Sequence, residues 1–195
     1  MEHYFTNNEN LKSDFRSVKY VYKDTPFVFT SDLGVFSKDK IDYGSKSLLE
    51  KVLEIESTGK KILDVGCGYG FIGIVLSKIL DSTVDMVDVN KRALHLTQMN
   101  IKNMKVNAKC FLSDAYKSVT EKYDIIITNP PIRAGKDKVL EILLGAKEHL
   151  NIDGTLYYVI RKDQGAKSIT KVLSETYKIE LLEKNKGFYI YSAKL

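Results

Sequence analysis

From Lys60 onward, short runs of β-branched and aliphatic residues alternate with longer stretches whose apolar residues recur at helical spacing. That alternation predicts successive βα units and a mostly parallel sheet. Strands are expected at Lys61–Val65, Val84–Val89, Ala108–Leu112, Tyr123–Thr128 and Thr155–Arg161, with helices at Phe71–Leu80, Lys91–Asn103, Lys136–Leu150 and Gly165–Tyr177. Asn90 is a favoured N-cap for the second helix. The pattern then changes: Lys178–Glu183, a Lys184-Asn185-Lys186-Gly187 turn and Phe188–Lys194 read as an antiparallel hairpin closing the sheet edge. Before Lys60, Phe27–Thr30 alternates like a strand, Ser31–Gly34 turns and Gly44–Glu56 has helical spacing. We expect this part to cover one end of the sheet. No repeat or Pro/Gly-rich linker divides the chain, and its three prolines, Pro26, Pro130 and Pro131, fall in two places. The expectation is one domain over 1–195, with 1–58 as an N-terminal cover and helix and 59–195 as the sheet core.

The length of 195 residues is consistent with one core. Thirty Lys plus Arg against 25 Asp plus Glu leave a net charge of +5, which permits a polyanionic partner without requiring one. Two cysteines, Cys67 and Cys110, form no disulfide framework, and with three scattered histidines they have no zinc-ligand spacing. Met1–Asn10 lacks the basic-then-apolar order of a signal peptide, and no apolar run approaches the roughly 18 residues of a membrane span. A soluble, cytoplasmic protein in a reducing compartment is expected.

Chemistry concentrates at strand ends. In Ile62-Leu63-Asp64-Val65-Gly66-Cys67-Gly68-Tyr69-Gly70-Phe71-Ile72-Gly73 an apolar strand runs into a glycine-rich turn and a helix, so backbone N–H groups can approach a ligand closely. Two readings compete. Gly68–Gly73 satisfies GxGxxG, with Asp88 about twenty residues on, as a dinucleotide site requires. The frame Asp64-x-Gly66-x-Gly68-x-Gly70 fits S-adenosylmethionine better, because an acid at the strand end can orient the loop and reach an amino-acid moiety, and there is no pyrophosphate to cradle. A purely structural turn would need fewer than the four glycines found between Gly66 and Gly73. Asp88 is placed to accept from ribose hydroxyls and Asp114 from an adenine amino group, although Asp114 also suits an Asx turn. Asp85, earlier in its strand, reads as a solvent-side residue or a partner for a lysine.

Tyr123–Thr128 is a buried strand that ends in Asn129-Pro130-Pro131-Ile132. Two prolines restrict the backbone and remove two N–H donors, so carbonyls at this tip can point at a substrate. A planar amine could donate to the Asn129 side-chain oxygen and to a carbonyl near Pro130. Its lone pair would then face an electrophilic methyl, with positioning in place of a strong base.

On these residues the chain resembles the small-domain class I methyltransferases of the ribosomal RNA guanine-N2 (RsmC-like) type, especially short single-domain forms. The resemblance runs from Phe29–Ser37, with its Gly34-Val35-Phe36-Ser37, through Asp42-Tyr43-Gly44-Ser45, the glycine loop, Asp88, Asp114 and Asn129–Lys136 to Gln164–Ser168 and the final hairpin. It implies a Rossmann-like α/β fold, a seven-stranded sheet of order 3-2-1-4-5-7-6 with the last strand antiparallel and helices on both faces, and S-adenosylmethionine as cofactor. Carried over, Asp64, Gly66, Cys67, Gly68, Gly70, Asp88, Val89, Asp114 and Ala115 line the cofactor, and Asn129, Pro130, Pro131 and Ile132 take the target amine. The implied partner is ribosomal RNA or the small ribosomal subunit, without a membrane. Relatives that methylate adenine or glutamine amines carry an aromatic residue where this chain has Ile132. The longer ribosomal RNA enzymes also carry a second, degenerate copy of the domain, so RNA docking must come from elsewhere, a homodimer being one arrangement.

Other features have blander readings. Arg133 and Lys136 suit phosphate contact or an ordinary solvated loop. Lys60, Lys61 and Lys38-Asp39-Lys40 read as surface charge, and Tyr69 and Phe71 as packing residues. Tyr4, Phe5, Tyr20 and Tyr22 interleave with Lys12, Arg16, Lys19 and Lys23, suiting either single-stranded RNA or an edge strand. His3, His95 and His149 are not expected to be catalytic. Rival functions are an adenine-N6 or protein-glutamine methyltransferase, a nicotinamide-dependent oxidoreductase, and a non-catalytic RNA-binding assembly factor.

Overall fold

The computed structural model describes residues 12–195. The expectations for Met1–Asn10, including His3, Tyr4 and Phe5, lie outside the described residues. The first described elements are an antiparallel pair, β1 (Arg16–Tyr22) and β2 (Thr25–Ser31), and helix α1 (Tyr43–Ile55). There follow β3 (Lys61–Val65), α2 (Phe71–Ile79), β4 (Thr83–Asp88), α3 (Lys91–Met104), β5 (Ala108–Leu112), β6 (Tyr123–Thr128), α4 (Lys136–Gly145), β7 (Leu150–Arg161), α5 (Ala166–Leu173), β8 (Lys178–Asn185) and β9 (Phe188–Lys194).

Seven strands form one sheet in the order β5-β4-β3-β6-β7-β9-β8. Numbered along the chain, these seven give 3-2-1-4-5-7-6, as the resemblance implied. The pairs among β5, β4, β3, β6 and β7 are parallel, and β9 runs antiparallel between β7 and β8. Side chains alternate between two apolar layers, as strand geometry demands. Ile62, Ile125, Ile127 and Val159 face one layer, covered by α1, α2, α3 and the β1–β2 pair. Leu63, Ile126, Leu156 and Ile160 face the other, covered by α4 and α5.

The N-terminal part lies on a face of the sheet and not on its end. Leu48, Leu49 and Val52 of α1 are fully buried, and Phe29 of β2 packs edge-on to Phe71 at 5.6 Å. Asn100 of α3 ties β2 down by accepting from Thr30 N at 2.8 Å and donating to Thr30 O at 3.0 Å, so one amide substitutes for a neighbouring strand. Tyr20 is buried, with its hydroxyl on Glu50, which removes it from any RNA surface.

Two helices stop earlier than periodicity predicts. The α4 helix gives way to a 3-10 turn at Ala146–Glu148, and Leu150 already pairs with Tyr123. Gly154 permits the early strand start, since a Cβ there would meet Tyr123 O, Asn151 O and Leu150 at 3.0 Å. The α5 helix ends at Leu173, and Tyr177 turns inward to donate to Leu143 O at 2.9 Å. No helix among the described residues is long and apolar enough to cross a membrane.

Candidate active site

A cleft of about 800 Å³ opens beyond the carboxyl ends of the parallel strands, where open α/β sheets place their ligands. Gly66, Gly68, Asp88, Val89, Asp114, Ala115, Asn129, Pro130, Pro131, Ile132 and Arg133 line it. A smaller recess of about 40 Å³ holds Asp64 and Cys67 together with Asp42, Ser45 and Asn129. Gly70 and Lys136 line neither space; Gly70 sits under the loop and Lys136 opens α4.

Backbone bonds build the glycine loop from below. Gly66 N and Cys67 N both donate to Val87 O, at 2.8 and 3.0 Å. Gly66 and Gly68 have φ of 77° and 58°, and nothing stands within 4 Å of where their Cβ atoms would be, so the space above them is free for a ligand. From behind, Thr97 donates to Gly68 O at 2.8 Å and Asn100 to Tyr69 O at 2.9 Å. Gly73 serves packing, because a Cβ would come within 2.5 Å of Met86 Sδ.

Asp64 is buried and accepts from Gly73 N at 2.9 Å, capping α2 from the preceding strand because the N-cap residue, Gly70, has no side chain. Asp88 accepts from Gly68 N and Asn90 N, each at 2.9 Å. The first acid of the loop therefore orients it, and the second locks it to β4. Burial pushes the Asp64 carboxyl up to about 7, with nearby Asp88 adding to the rise against the opposing Gly73 bond. Burial raises Asp88 to about 6 against three backbone hydrogen bonds that favour its charge. Asp114 differs. Its carboxylate is shared by Lys117 and Lys138, which hold it below the usual carboxylate range, so its acceptor capacity toward an adenine amine is partly used by lysines. Asp85 is not on a solvent side: it is buried, accepts from Tyr123 Oη at 2.7 Å and pairs with Lys109 at 3.3 Å.

At the end of β6, Asn129 Nδ2 donates to Asp42 Oδ2 at 3.0 Å and to Ser45 Oγ at 2.8 Å. A carboxylate can only accept, so the amide's NH₂ end is fixed toward α1 and its Oδ1 is left to accept on the other side. Asp42 is also the N-cap of α1, accepting from Ser45 N at 2.7 Å. Asp42 and Ser45 had no role in the sequence reading. Their spacing is that of an ordinary helix cap, and only its recurrence within the Asp42–Ser45 segment of the resemblance hinted at more. Ile132 opens a 3-10 turn ending at Ala134 and packs against the second apolar layer. Phe36, from the loop after β2, also lines the cleft and contributes an aromatic side chain. Among the described residues, no group of three or more His, Cys, Asp or Glu could hold a metal.

A family model described as "Methyltransferase small domain" matches residues 26–192. The chain is 42% identical over 198 residues to "Uncharacterized protein YbxB" of Bacillus subtilis (strain 168), covering 99% of this chain and 98% of that protein. It is 31% identical over 194 residues to "Ribosomal RNA small subunit methyltransferase C" of Vibrio parahaemolyticus, covering 95% of this chain and 54% of the relative. Its fold matches "T. Thermophilus 16S rRNA N2 G1207 methyltransferase (RsmC) in complex with AdoMet and Guanosine" with a TM-score of 0.84 at 24% identity, over 92% of this chain and 50% of that one. The chain thus spans about half the length of the last two proteins.

Proposed function

The chain belongs to the methyltransferase small domain family, and from that premise we propose that it transfers the methyl group of S-adenosylmethionine to an exocyclic amine of ribosomal RNA, guanine N2 being the acceptor. The observation that carries the acceptor class is the fixed amide of Asn129, whose NH₂ end is held by Asp42 and Ser45. An acceptor-only oxygen at this tip selects a substrate that brings donors, as an amine does, over one that brings a carbonyl.

The cleft fits the cofactor. The open space over Gly66 and Gly68 admits it against the loop backbone, Asp88 at the β4 end faces a ribose, and the recess with Asp64, Asp42 and Asn129 suits a cationic amino-acid end. Bound S-adenosylmethionine supplies an electrophilic methyl on a sulfonium. Asn129 Oδ1 takes one N–H of the target and a backbone carbonyl at Pro130 takes the other, which holds the nitrogen lone pair toward the methyl. Those two acceptors also gain from the positive charge that develops on nitrogen, so orientation and electrostatics act without a strong base, and the surplus proton on the methylated nitrogen leaves to water. Val89, Ala115 and Cys67 border the cofactor, Ile132 packs against the base, and Arg133 and Lys136 are available to phosphates. The wider proposal is one domain acting in the cytoplasm on the small subunit or its RNA, with a homodimer as the assembly to test.

The test incubates purified protein and labelled S-adenosylmethionine with small ribosomal subunits from cells lacking the gene, followed by nucleoside analysis. Label in N2-methylguanosine that disappears with Asn129→Ala supports the reading. Label in another nucleoside corrects the acceptor, and no label in RNA despite cofactor binding rejects an RNA substrate.

A further inference from the structure

Methyl transfer leaves one part of the cleft rim without a task. Phe188 opens β9 directly opposite Arg161 at the end of β7, and both line the cleft. The Arg161 guanidinium lies 5.5 Å from the Phe188 ring centroid. The ring of Tyr43, first residue of α1, lies 5.5 Å from that of Phe188 at 47°, and the Lys186 ammonium sits 4.8 Å from the centre of the Tyr43 ring. Two rings and two cations therefore form a continuous strip gathered from α1, β7 and the β8–β9 turn. It adjoins the acceptor end, because Tyr43 follows Asp42, which holds Asn129. A Cβ on Gly44 would stand 2.7 Å from the Phe188 ring, so that ring is seated on the first turn of α1.

Packing alone does not account for the strip. Arg161 and Lys186 are exposed, and the acid paired with Arg161, Asp163, is exposed as well, a pairing of little consequence in water. Lys186 occupies the first position of a two-residue hairpin turn with φ of 46°, ahead of Gly187 at 81°. Asn, Asp or Gly adopts that conformation more easily than lysine does, so the turn holds a cation beside Tyr43 at some backbone cost. Lys162 and Lys184, both exposed, add positive charge nearby.

We propose that Tyr43, Phe188, Arg161 and Lys186 grip single-stranded RNA next to the nucleotide whose amine enters at Asn129. The proposal rests on RNA being the substrate. The rings offer stacking faces to a flanking base, and the two cations, held over rings in the RNA-free protein, exchange them for flanking phosphates. Holding the neighbouring nucleotide keeps the chain splayed while the target base leaves its stack.

The experiment compares wild type, the double variant Arg161→Glu/Lys186→Glu, and a control pair, Lys60→Glu/Lys147→Glu, at the opposite end of the sheet. Each is assayed for methyl transfer to naked small-subunit ribosomal RNA, for binding of an unstructured RNA oligonucleotide across a salt series, and for S-adenosylmethionine affinity. The strip variant is expected to raise the RNA KM by about tenfold or more, to leave kcat and cofactor affinity near wild type, and to lower the salt slope of RNA binding by about 1.4. The control pair should change none of these. Phe188→Leu, which keeps an apolar contact on Gly44, should weaken oligonucleotide binding roughly fivefold through lost stacking. An unchanged RNA KM and salt slope in the double variant, with wild type active, would overturn the strip and leave the RNA assignment intact. A wild-type protein that neither binds nor methylates RNA would overturn the RNA assignment and the strip with it.

Discussion

The two halves of the cleft are built on different principles. In the cofactor half most polar side chains are tied to backbone: Asp64 to Gly73 N, Asp88 to Gly68 N and Asn90 N, Thr97 to Gly68 O, with Asp114, held by Lys117 and Lys138, the exception. In the acceptor half the key side chain is held by other side chains, Asn129 by Asp42 and Ser45, and the rim is made of rings under cations. The first half uses one strand, one loop and the ends of two neighbours in succession. The second joins residues that are more than eighty positions apart. A backbone-built half presents a fixed geometry to an invariant ligand, whereas a half built of side chains can change acceptor without disturbing the loop.

Breaking the acceptor half at its centre should give the largest effect. Asn129→Ala removes the oxygen that orients the amine, and we expect kcat to fall by roughly 10²–10³-fold, the scale of losing one positioned polar group at a reacting centre. S-adenosylmethionine affinity, set mainly by the other half, should fall far less than kcat by calorimetry, because Asn129 only borders the recess proposed for the amino-acid end. A large joint loss would mean that the halves are not separable.

Next in size is Asp42→Ala, which leaves Asn129 in place but frees its amide to turn, with only Ser45 remaining as its acceptor. We expect a fall in kcat of about 10- to 100-fold, the range for losing a hydrogen bond to a charged group. A merely structural role for Asp42 as the α1 cap would lower Tm without lowering kcat of the folded enzyme. Asp42→Asn should recover part of the rate, because its side-chain oxygen can still accept from Asn129.

This division also explains what could be read from the sequence. The residues proposed to hold the cofactor stood out because they lie at the ends of consecutive strands, and the alternation of Ile62, Leu63, Asp64 and Val65 already assigns them to faces. For Asp85 the lysine partner holds, in Lys109, but the solvent-side placement does not, because Tyr123 reaches it across β3 from a strand nearly forty residues on. Asp42 and Ser45 looked like a helix cap, which they are, and their second task depends on where α1 lies against β6. The early end of α4 was hidden for the same reason, since Gly154 and its close contact with Tyr123 O belong to strand pairing. Local pattern carried the sheet and the glycine loop, while contacts between distant segments carried the acceptor end.

The cofactor half can be broken more gently. Asp88→Asn retains one acceptor oxygen and loses the charge, and we expect S-adenosylmethionine Kd to rise roughly tenfold, in the range of a lost charge-assisted bond. The amide NH₂ cannot accept, so one of Gly68 N and Asn90 N loses its partner while the cost of burying a charge is relieved, and Tm of the cofactor-free variant at pH 8 should change by no more than a few degrees, where a collapsed loop would lower it further. The kcat at saturating cofactor should stay within a few fold of wild type, in contrast to Asn129→Ala.

The smallest effect is a pH dependence confined to the cofactor half. Burial raises Asp64 to about 7 and Asp88 to about 6, far above the unfolded range near 4, while Asp114 is held low by Lys117 and Lys138 and stays ionised. As pH falls through 7 and then 6, the two buried acids take up protons, and a neutral acid attracts a cationic amino-acid end less and accepts fewer ribose bonds. Affinity for S-adenosylmethionine should therefore weaken on acidification, by about fourfold between pH 7.5 and 5.5 from Asp88 alone, with Asp64 adding to it. Stability of the cofactor-free protein runs the other way. Acids whose folded values are raised contribute stability that is fully present below about pH 4 and is lost as pH rises through 6 to 7, so this share of stability grows as the medium is acidified. Calorimetry at pH 7.5, 6.5 and 5.5, paired with melting curves without cofactor, separates the two trends, and Asp88→Asn should flatten both in part. Binding that strengthened toward pH 5.5 would show that the buried acids are neutral when the cofactor is bound, and the assignment of Asp88 to the ribose would then have to be given up.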